Sequence, residues 1–358
     1  MGRLHCRSSV RSIGSSSILD WGESKCLRLV SSLDVRPEPP RIVLIASTDR
    51  AALDSVHFHA IRNGRDVVGV LDRPLSLVAF RHLLEVQDRG LLQLDRILRQ
   101  RESIPDDEIV VHYQPMITMA DRTIRRVEAL ARWNHPRHGL LPPALFIEHA
   151  ERSGAIAPLT WEVLSRALEQ HVVWKTGGMV LSVSVNISAL LLSSLHAADD
   201  ILTLLRSRDC DPQHLILEIT ETEEFRNPSL ARTLLMRLRE AGVEISMDDY
   251  GVGFSNLERL RDYPFSELKV DRRLVAELDG GHESRRTVEM LALLAAKEKL
   301  SLTGEGIETE EQWNALEELG FHFAQGFLIA RPMPGDQIEG WIGEMTQMRR
   351  YRLAAGLS

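Results

Sequence analysis

The sequence is poor in cysteine, in long apolar runs and in positive charge. Its three cysteines, Cys6, Cys26 and Cys210, are scattered and form no CxxC pair. That spacing argues against a disulfide framework and a zinc site, and it fits a reducing cytoplasm. No run of 18 apolar residues lacks polar interruption, so no membrane span is expected. The nearest approach, residues 179–195, carries five serines and an asparagine. The arginines near the N-terminus precede no apolar stretch, so they do not open a signal peptide. A formal net charge of -8 argues against general affinity for duplex nucleic acid, which needs clustered cations. An acidic protein still binds a phosphate ligand where metals supply the positive charge.

What is there is enough for two domains, or for one large domain with an appendage, since the chain has 358 residues. Residues 1–16 are rich in Ser and Arg and are expected to be poorly ordered. Residues 17–20 read as the end of a strand closing on Asp20, residues 41–46 as a buried strand, and 67–71 as another. Helical stretches are expected at 27–33, 51–62 and 75 to about 101, which gives βαβαβα order and a parallel sheet.

A second region starts near Pro105. Candidate strands there are 109–115, 124–133, 180–188, 215–221, 244–250, 268–271, 302–306 and 323–329. Helices are expected at 158–174, 230–241, 284–299 and 310–319, between most of these strands. Strands alternating with helices over this length predict a (β/α)8 barrel. Only a short link around residues 117–123 joins the first two strands. That is too short for a parallel crossover, so the first pair should be an antiparallel hairpin.

Polar residues cluster at or near the ends of these strands: Glu128, Asn186, Glu218, Glu221, Asp248, Asp249, Lys269, Asp271, Glu305, Glu308 and Gln325. Barrel sites are built at the C-terminal strand ends, where residues distant in sequence converge. A lone acid there is ordinarily a cap or a surface ion pair, a lone Asn a turn residue, and a lone Lys solvated. So many together in one barrel ask for cations, because a pocket of acids repels itself. Glu, Asp and Asn oxygens suit Mg2+ or Mn2+ rather than zinc. The adjacent pair Asp248-Asp249 can bridge two such ions, and two metals about 3.5–4 Å apart open a phosphodiester. Lys269 beside these acids can orient or help deprotonate an attacking water. His135 and His138, in Asn134-His-Pro-Arg-His-Gly139, read as a loop rather than as ligands.

At these residues the sequence resembles the EAL family of cyclic di-GMP phosphodiesterases. The likeness covers about residues 108–343: Tyr113-Gln-Pro115, Glu128-Ala-Leu130, Arg132-Trp-Asn-His-Pro136, Val185-Asn-Ile-Ser188, Glu218-Ile-Thr-Glu221, Asp248-Asp-Tyr-Gly251, Lys269-Val-Asp271, Glu305-Gly-Ile-Glu308 and Gln325-Gly-Phe327. It implies a modified TIM-like barrel with one antiparallel strand, two Mg2+ or Mn2+ ions, and hydrolysis of cyclic di-GMP to linear pGpG. It gives Glu128, Asn186, Glu218, Asp248, Asp249 and Glu305 to the metals. Lys269, Glu305 and Glu221 form the implied catalytic set, Glu221 by holding the loop after Asp249. That loop also serves dimerisation in the family, so a homodimer is expected. Arg132, Gln325, Asp271 and Glu308 are the implied substrate-side or supporting residues. Val252 and Asn256 stand where the family usually has Thr and Ser, and Gly304 where Ala is frequent; none of these removes a metal ligand.

Residues 17–88 resemble the later part of a response-regulator receiver domain, of flavodoxin-like fold. Asp20 falls where the phosphate-accepting Asp would lie, and Arg73 replaces the Lys. No Asp or Glu precedes Asp20, so the acidic pair that holds the receiver's metal is missing and no ordinary phosphorylation switch is expected. The expected domains are this segment, a linker helix at 89–104, the barrel at 105–345 and a tail at 346–358. The leading reading is a cytoplasmic phosphodiesterase. A catalytically silent cyclic di-GMP receptor is the alternative, disfavoured because the acids are kept. A barrel glycosidase needs only two carboxylates and leaves Asn186, Asp248-Asp249 and Lys269 without purpose.

Overall fold

The structure is a computed structural model that describes residues 12–13, 16–19, 41–46 and 67–72, and 104–354 apart from 137, 222–223, 252–256 and 279–281. The chain divides into two compact units, Met1–Glu102 and Ser103–Ser358. In the first, β1 (Ser12–Ile13), β2 (Ser16–Leu19), β3 (Arg41–Ala46) and β4 (Val67–Asp72) form one sheet in that order. β2, β3 and β4 are parallel, as the βαβ order predicts. β1 is antiparallel to β2 and lies in the stretch expected to be poorly ordered; two residues are too few to show a strand period. The helices expected between these strands, and Asp20, fall outside the described residues.

The second unit is a closed eight-stranded barrel. Its strands are β5 (Ile109–Thr118), β6 (Ile124–His135), β8 (Ser182–Asn186), β9 (Leu215–Thr220), β10 (Glu244–Tyr250), β11 (Glu267–Val270), β12 (Ser301–Gly304) and β13 (Phe323–Ala324). From β6 to β13 each strand runs parallel to the next, and β5 closes the ring antiparallel to both β6 and β13. The short link makes this reversal: the Thr118 N–H donates to the Thr123 carbonyl at 2.8 Å, and Asp121 accepts from the Thr123 N–H at 3.0 Å. Two short strands flank the ring, β7 (Gly139–Leu141) on β6 and β14 (Met333–Pro334) on β5. The β6–β7 hairpin puts His135 at the end of β6, paired with Gly139, and His138 in the turn, where the His138 N–H donates to His135 Nδ1 at 3.2 Å.

Helices cover the ring: α1 (Ile147–Ser153), α2 (Ile156–Thr176), α3 (Ala197–Ser207), α4 (Pro228–Glu240), α5 (Leu257–Asp262), α6 (Arg272–Ala276), α7 (His282–Glu298), α8 (Glu310–Glu318) and α9 (Gly335–Ala354). Their starts are written locally. Asn227 caps α4 by accepting from the Leu230 N–H, and Thr309 with Gln312 forms a capping box on α8. Along α2, Leu159, Val163, Leu164, Ala167, Leu168, His171 and Trp174 repeat at helical spacing and are buried.

Strand alternation sorts the residues into two interiors. Val127, Ala129, Val183, Val185, Leu217, Ile219, Ile245, Met247, Leu268 and Val270 are buried apolar positions of the ring. Each of these side chains except the small Ala129 contributes roughly 1.5–3 kcal/mol by leaving water. The alternate positions carry Glu128, Ser184, Glu218, Ser246, Asp248, Glu267, Lys269 and Thr303, all buried and all polar. The apolar positions therefore hold the fold, and the polar ones are available for chemistry.

Candidate active site

The polar interior is layered. Toward the strand starts, Arg126 reaches Glu244 Oε2 at 2.9 Å and Glu267 Oε2 at 3.2 Å, and lies 4.0 Å over the Phe323 ring. One layer further along the strands, Lys269 is fully buried among acids. Its Nζ lies 2.7 Å from Glu305 Oε1, 3.0 Å from Glu218 Oε2, 3.2 Å from Asp248 Oδ1 and 3.5 Å from Glu128 Oε2. These four carboxylates come from four different strands or the turns just after them, brought together by barrel closure alone. Asn186 and Gln325 join them: Asn186 Nδ2 donates to Glu128 Oε1 at 2.9 Å and Gln325 Nε2 to Glu128 Oε2 at 2.7 Å.

Asp248 and Asp249 are neighbours, so a regular strand would send them to opposite faces. The pairing of β10 with β11 is irregular between Met247 and Tyr250, and Asp249 has φ 56°. This bulge and left-handed residue turn Asp249 back, so Asp248, Asp249 and Glu305 each bring a ligand atom within 4.8 Å of the others. Strain of this kind, of order 1–3 kcal/mol, collects at functional sites.

One ammonium does not balance this set. Four carboxylates around Lys269 leave three formal negative charges over, before Asp249 is counted. Burial, together with Glu128, Asp248 and Glu305, pushes Glu218 well above the usual carboxylate range against the pull of Lys269. Burial and Asp248 do the same to Glu305. For Lys269 burial works downward, but the four carboxylates outweigh it and hold its pKa well above normal. Lys269 meets them as an ion pair without directed hydrogen bonds, and both Glu218 oxygens and Asp248 Oδ1 are buried without a hydrogen-bond donor. Buried carboxylate oxygens lacking donors, in a cluster of excess negative charge, fit a hard divalent cation.

The other expected residues support the rim. Glu221 Oε2 accepts from the Gly251 N–H at 3.0 Å, which holds the start of the loop after Asp249. Asp271 caps α6, accepting from the Arg273 N–H at 2.7 Å and Nε at 3.0 Å. Burial raises its pKa, but these bonds and one with Asp249 lower it further, so its net shift is downward. Arg132 is buried and donates to the Ala131 carbonyl at 2.8 Å, while Glu308 is exposed on the approach to α8. Neither is among the ion-pair partners of Lys269. Sequence reasoning missed Gln114, whose Oε1 accepts from Gln325 Nε2 at 3.0 Å. Its signal was a polar residue inside the Tyr113-Gln-Pro115 strand.

The strand expected at 323–329 ends at Ala324, because the chain after Gln325 wraps over Ile307. The Ile307 N–H donates to the Gln325 carbonyl at 3.0 Å and the Leu328 N–H to the Ile307 carbonyl at 2.9 Å. That crossing locks the Glu305 and Gln325 loops together.

Comparison with known proteins agrees with this geometry. The profile of the EAL domain family matches residues 97–332. The chain is 35% identical over 286 residues to the bifunctional diguanylate cyclase/cyclic di-GMP phosphodiesterase MucR of Pseudomonas aeruginosa, covering 80% of this chain and 40% of that protein. It is 33% identical over 280 residues to the cyclic di-GMP phosphodiesterase RocR of the same organism, covering 76% and 71%. The structure of the PaMucR phosphodiesterase in complex with c-di-GMP superposes with a TM-score of 0.62 at 37% identity, over 70% of this chain and 99% of that one. Among the described residues no helix is long and apolar enough to cross a membrane.

Proposed function

The chain belongs to the EAL-domain family, and on that premise we propose that it hydrolyses cyclic di-GMP to linear pGpG with two divalent cations, Mg2+ or Mn2+. The observation that carries the reading is the excess of buried carboxylate around Lys269, with both Glu218 oxygens lacking a donor. Glu128, Asn186, Glu218, Asp248, Asp249 and Glu305 are the residues to hold the ions. The Asn186 amide already donates to Glu128, which leaves its carbonyl oxygen as the ligand atom. Bound there, the cations lower the pKa of water and neutralise charge on the phosphodiester.

The residues of the chain do the rest. Lys269 stays charged, so it serves as a buried donor that orients the attacking water rather than as a base. Glu221 holds the loop entrance through Gly251, and Asp271 holds Asp249. Arg132, Gln325 and Glu308 are the substrate-side groups of this reading. A second copy of the chain meets the first through the loop after Asp249, whose residues 252–256 lie outside the described set.

The test is turnover of cyclic di-GMP by purified protein with Mg2+ or Mn2+ and with chelator. Metal-dependent release of pGpG, lost in Glu128→Ala and Asp248→Ala, is the expected result. Tight binding of cyclic di-GMP without turnover would replace the enzyme with a receptor.

A further inference from the structure

Glu128 receives two side-chain amide donors, and the direction of one of them is set two residues away. The Ala330 carbonyl can only accept a hydrogen bond. Gln114 therefore turns its amide nitrogen to it, with Nε2 2.9 Å from that oxygen. This leaves Gln114 Oε1 facing the barrel interior, where it accepts from Gln325 Nε2 at 3.0 Å. Gln325 must then present its nitrogen, and the same Nε2 donates to Glu128 Oε2 at 2.7 Å. Gln114 and Gln325 are both buried, so water does not scramble this order. Gln114 also faces Glu128 directly in the register of β5 and β6. A backbone carbonyl thus sets the polarity of a relay that ends on a carboxylate of the acid cluster.

We propose that Gln114 is a positioning residue that locks the donor face of Gln325 onto Glu128 and so sets the divalent-cation affinity of the site. The proposal rests on the metal-dependent reading above. Without Gln114 the Gln325 amide can rotate, and its carbonyl then faces the Glu128 carboxylate, acceptor against acceptor. Gln325 Oε1 is buried without a hydrogen-bond partner, so once Gln114 is gone only the bond to Glu128 itself holds the amide in this orientation.

The experiment is calorimetric titration of metal-free protein with Mn2+, alongside steady-state turnover of cyclic di-GMP. Gln114→Met keeps the size and removes the amide. It is expected to weaken Mn2+ binding about tenfold, the lower range for groups that orient metal ligands. Gln325→Met is expected to do the same, and the double variant to be no weaker than either single one, because both cut one relay. Saturating Mn2+ should restore most of the turnover number in Gln114→Met with KM unchanged. Parental Mn2+ affinity in Gln114→Met, or losses that simply add in the double variant, would overturn the proposal. If Gln114→Met does not fold, Gln114→Leu, which also removes the acceptor for Gln325 Nε2, is read by the same titration. Parent protein that binds Mn2+ but never turns over cyclic di-GMP sinks the phosphodiesterase reading instead, and the titration still decides the relay.

Discussion

Gly326 lies against the backbone of Ile307 so closely that a Cβ on it would sit 2.1 Å from the Ile307 nitrogen and 2.2 Å from its oxygen. The close approach lets the loop carrying Gln325 cross the loop carrying Glu305, two groups of one acid cluster. Backbone atoms cannot swing aside as a flexible side chain can. Gly326→Ala is therefore expected to cost at least the roughly 1–3 kcal/mol of ordinary overpacking. Denaturant unfolding of the variant checks this; an unchanged midpoint would show that the two loops are not interlocked.

Gly304 shows the opposite case. A Cβ there would meet Leu316 Cδ1 at 2.3 Å, a side chain that has filled the space an alanine needs. Gly304→Ala is expected to destabilise by about 1–3 kcal/mol, and Leu316→Val in the same chain to recover part of that loss. A double-mutant cycle measures the coupling. Strict additivity would mean that Leu316 is not the compensating residue.

Lys269 is the single ammonium among four buried carboxylates. In chelator, Lys269→Met is expected to lose about 3–5 kcal/mol, the range for breaking a buried ion pair from one side. Excess Mg2+ should return much of that stability, since a cation replaces the lost charge, while turnover stays low. Equal stability of variant and parent in chelator would remove Lys269 as the balancing charge.

His171 supplies a pH dependence away from the site. Its ring is buried, with Nδ1 2.8 Å from the Leu181 carbonyl, and burial, with help from His214 and Lys175, lowers its pKa from an ordinary 6.5. The folded state therefore takes up its proton at lower pH than the unfolded chain does. Its stabilising contribution is complete above pH 6.5 and is lost as pH falls through that value toward the lower folded pKa. Unfolding midpoints between about pH 7.5 and 5 should fall less steeply in His171→Gln than in the parent. Parallel curves would contradict the assignment.

Much of this was legible locally. The link around residues 117–123 is too short for a crossover, so the hairpin reversal of β5 follows from chain length alone. Asn227 and Thr309 announce their helices because a cap acts within one turn. Glu128, Asn186, Glu218, Asp248, Lys269 and Glu305 stood out only together, because so many acids in one barrel ask for cations, although each alone has an ordinary structural use. The strand at 323–329 was overextended, since its apolar run says nothing of a chain crossing at Ile307.

The sequence by itself determined the alternation of strands and helices and the supply of acids, because period, turn length and capping depend on neighbours in the chain. The tertiary structure decided which of those groups meet. Four carboxylates reach one ammonium only once the ring closes and the strand registers align. Asp249 joins Asp248 only through a left-handed residue at a bulge, and Gln114 reaches Glu128 only through Gln325, just past the end of another strand. Those are relations between residues up to 216 apart in the chain, as between Gln114 and Ala330. No local preference encodes such contacts; they exist because a closed barrel brings every strand end to one mouth.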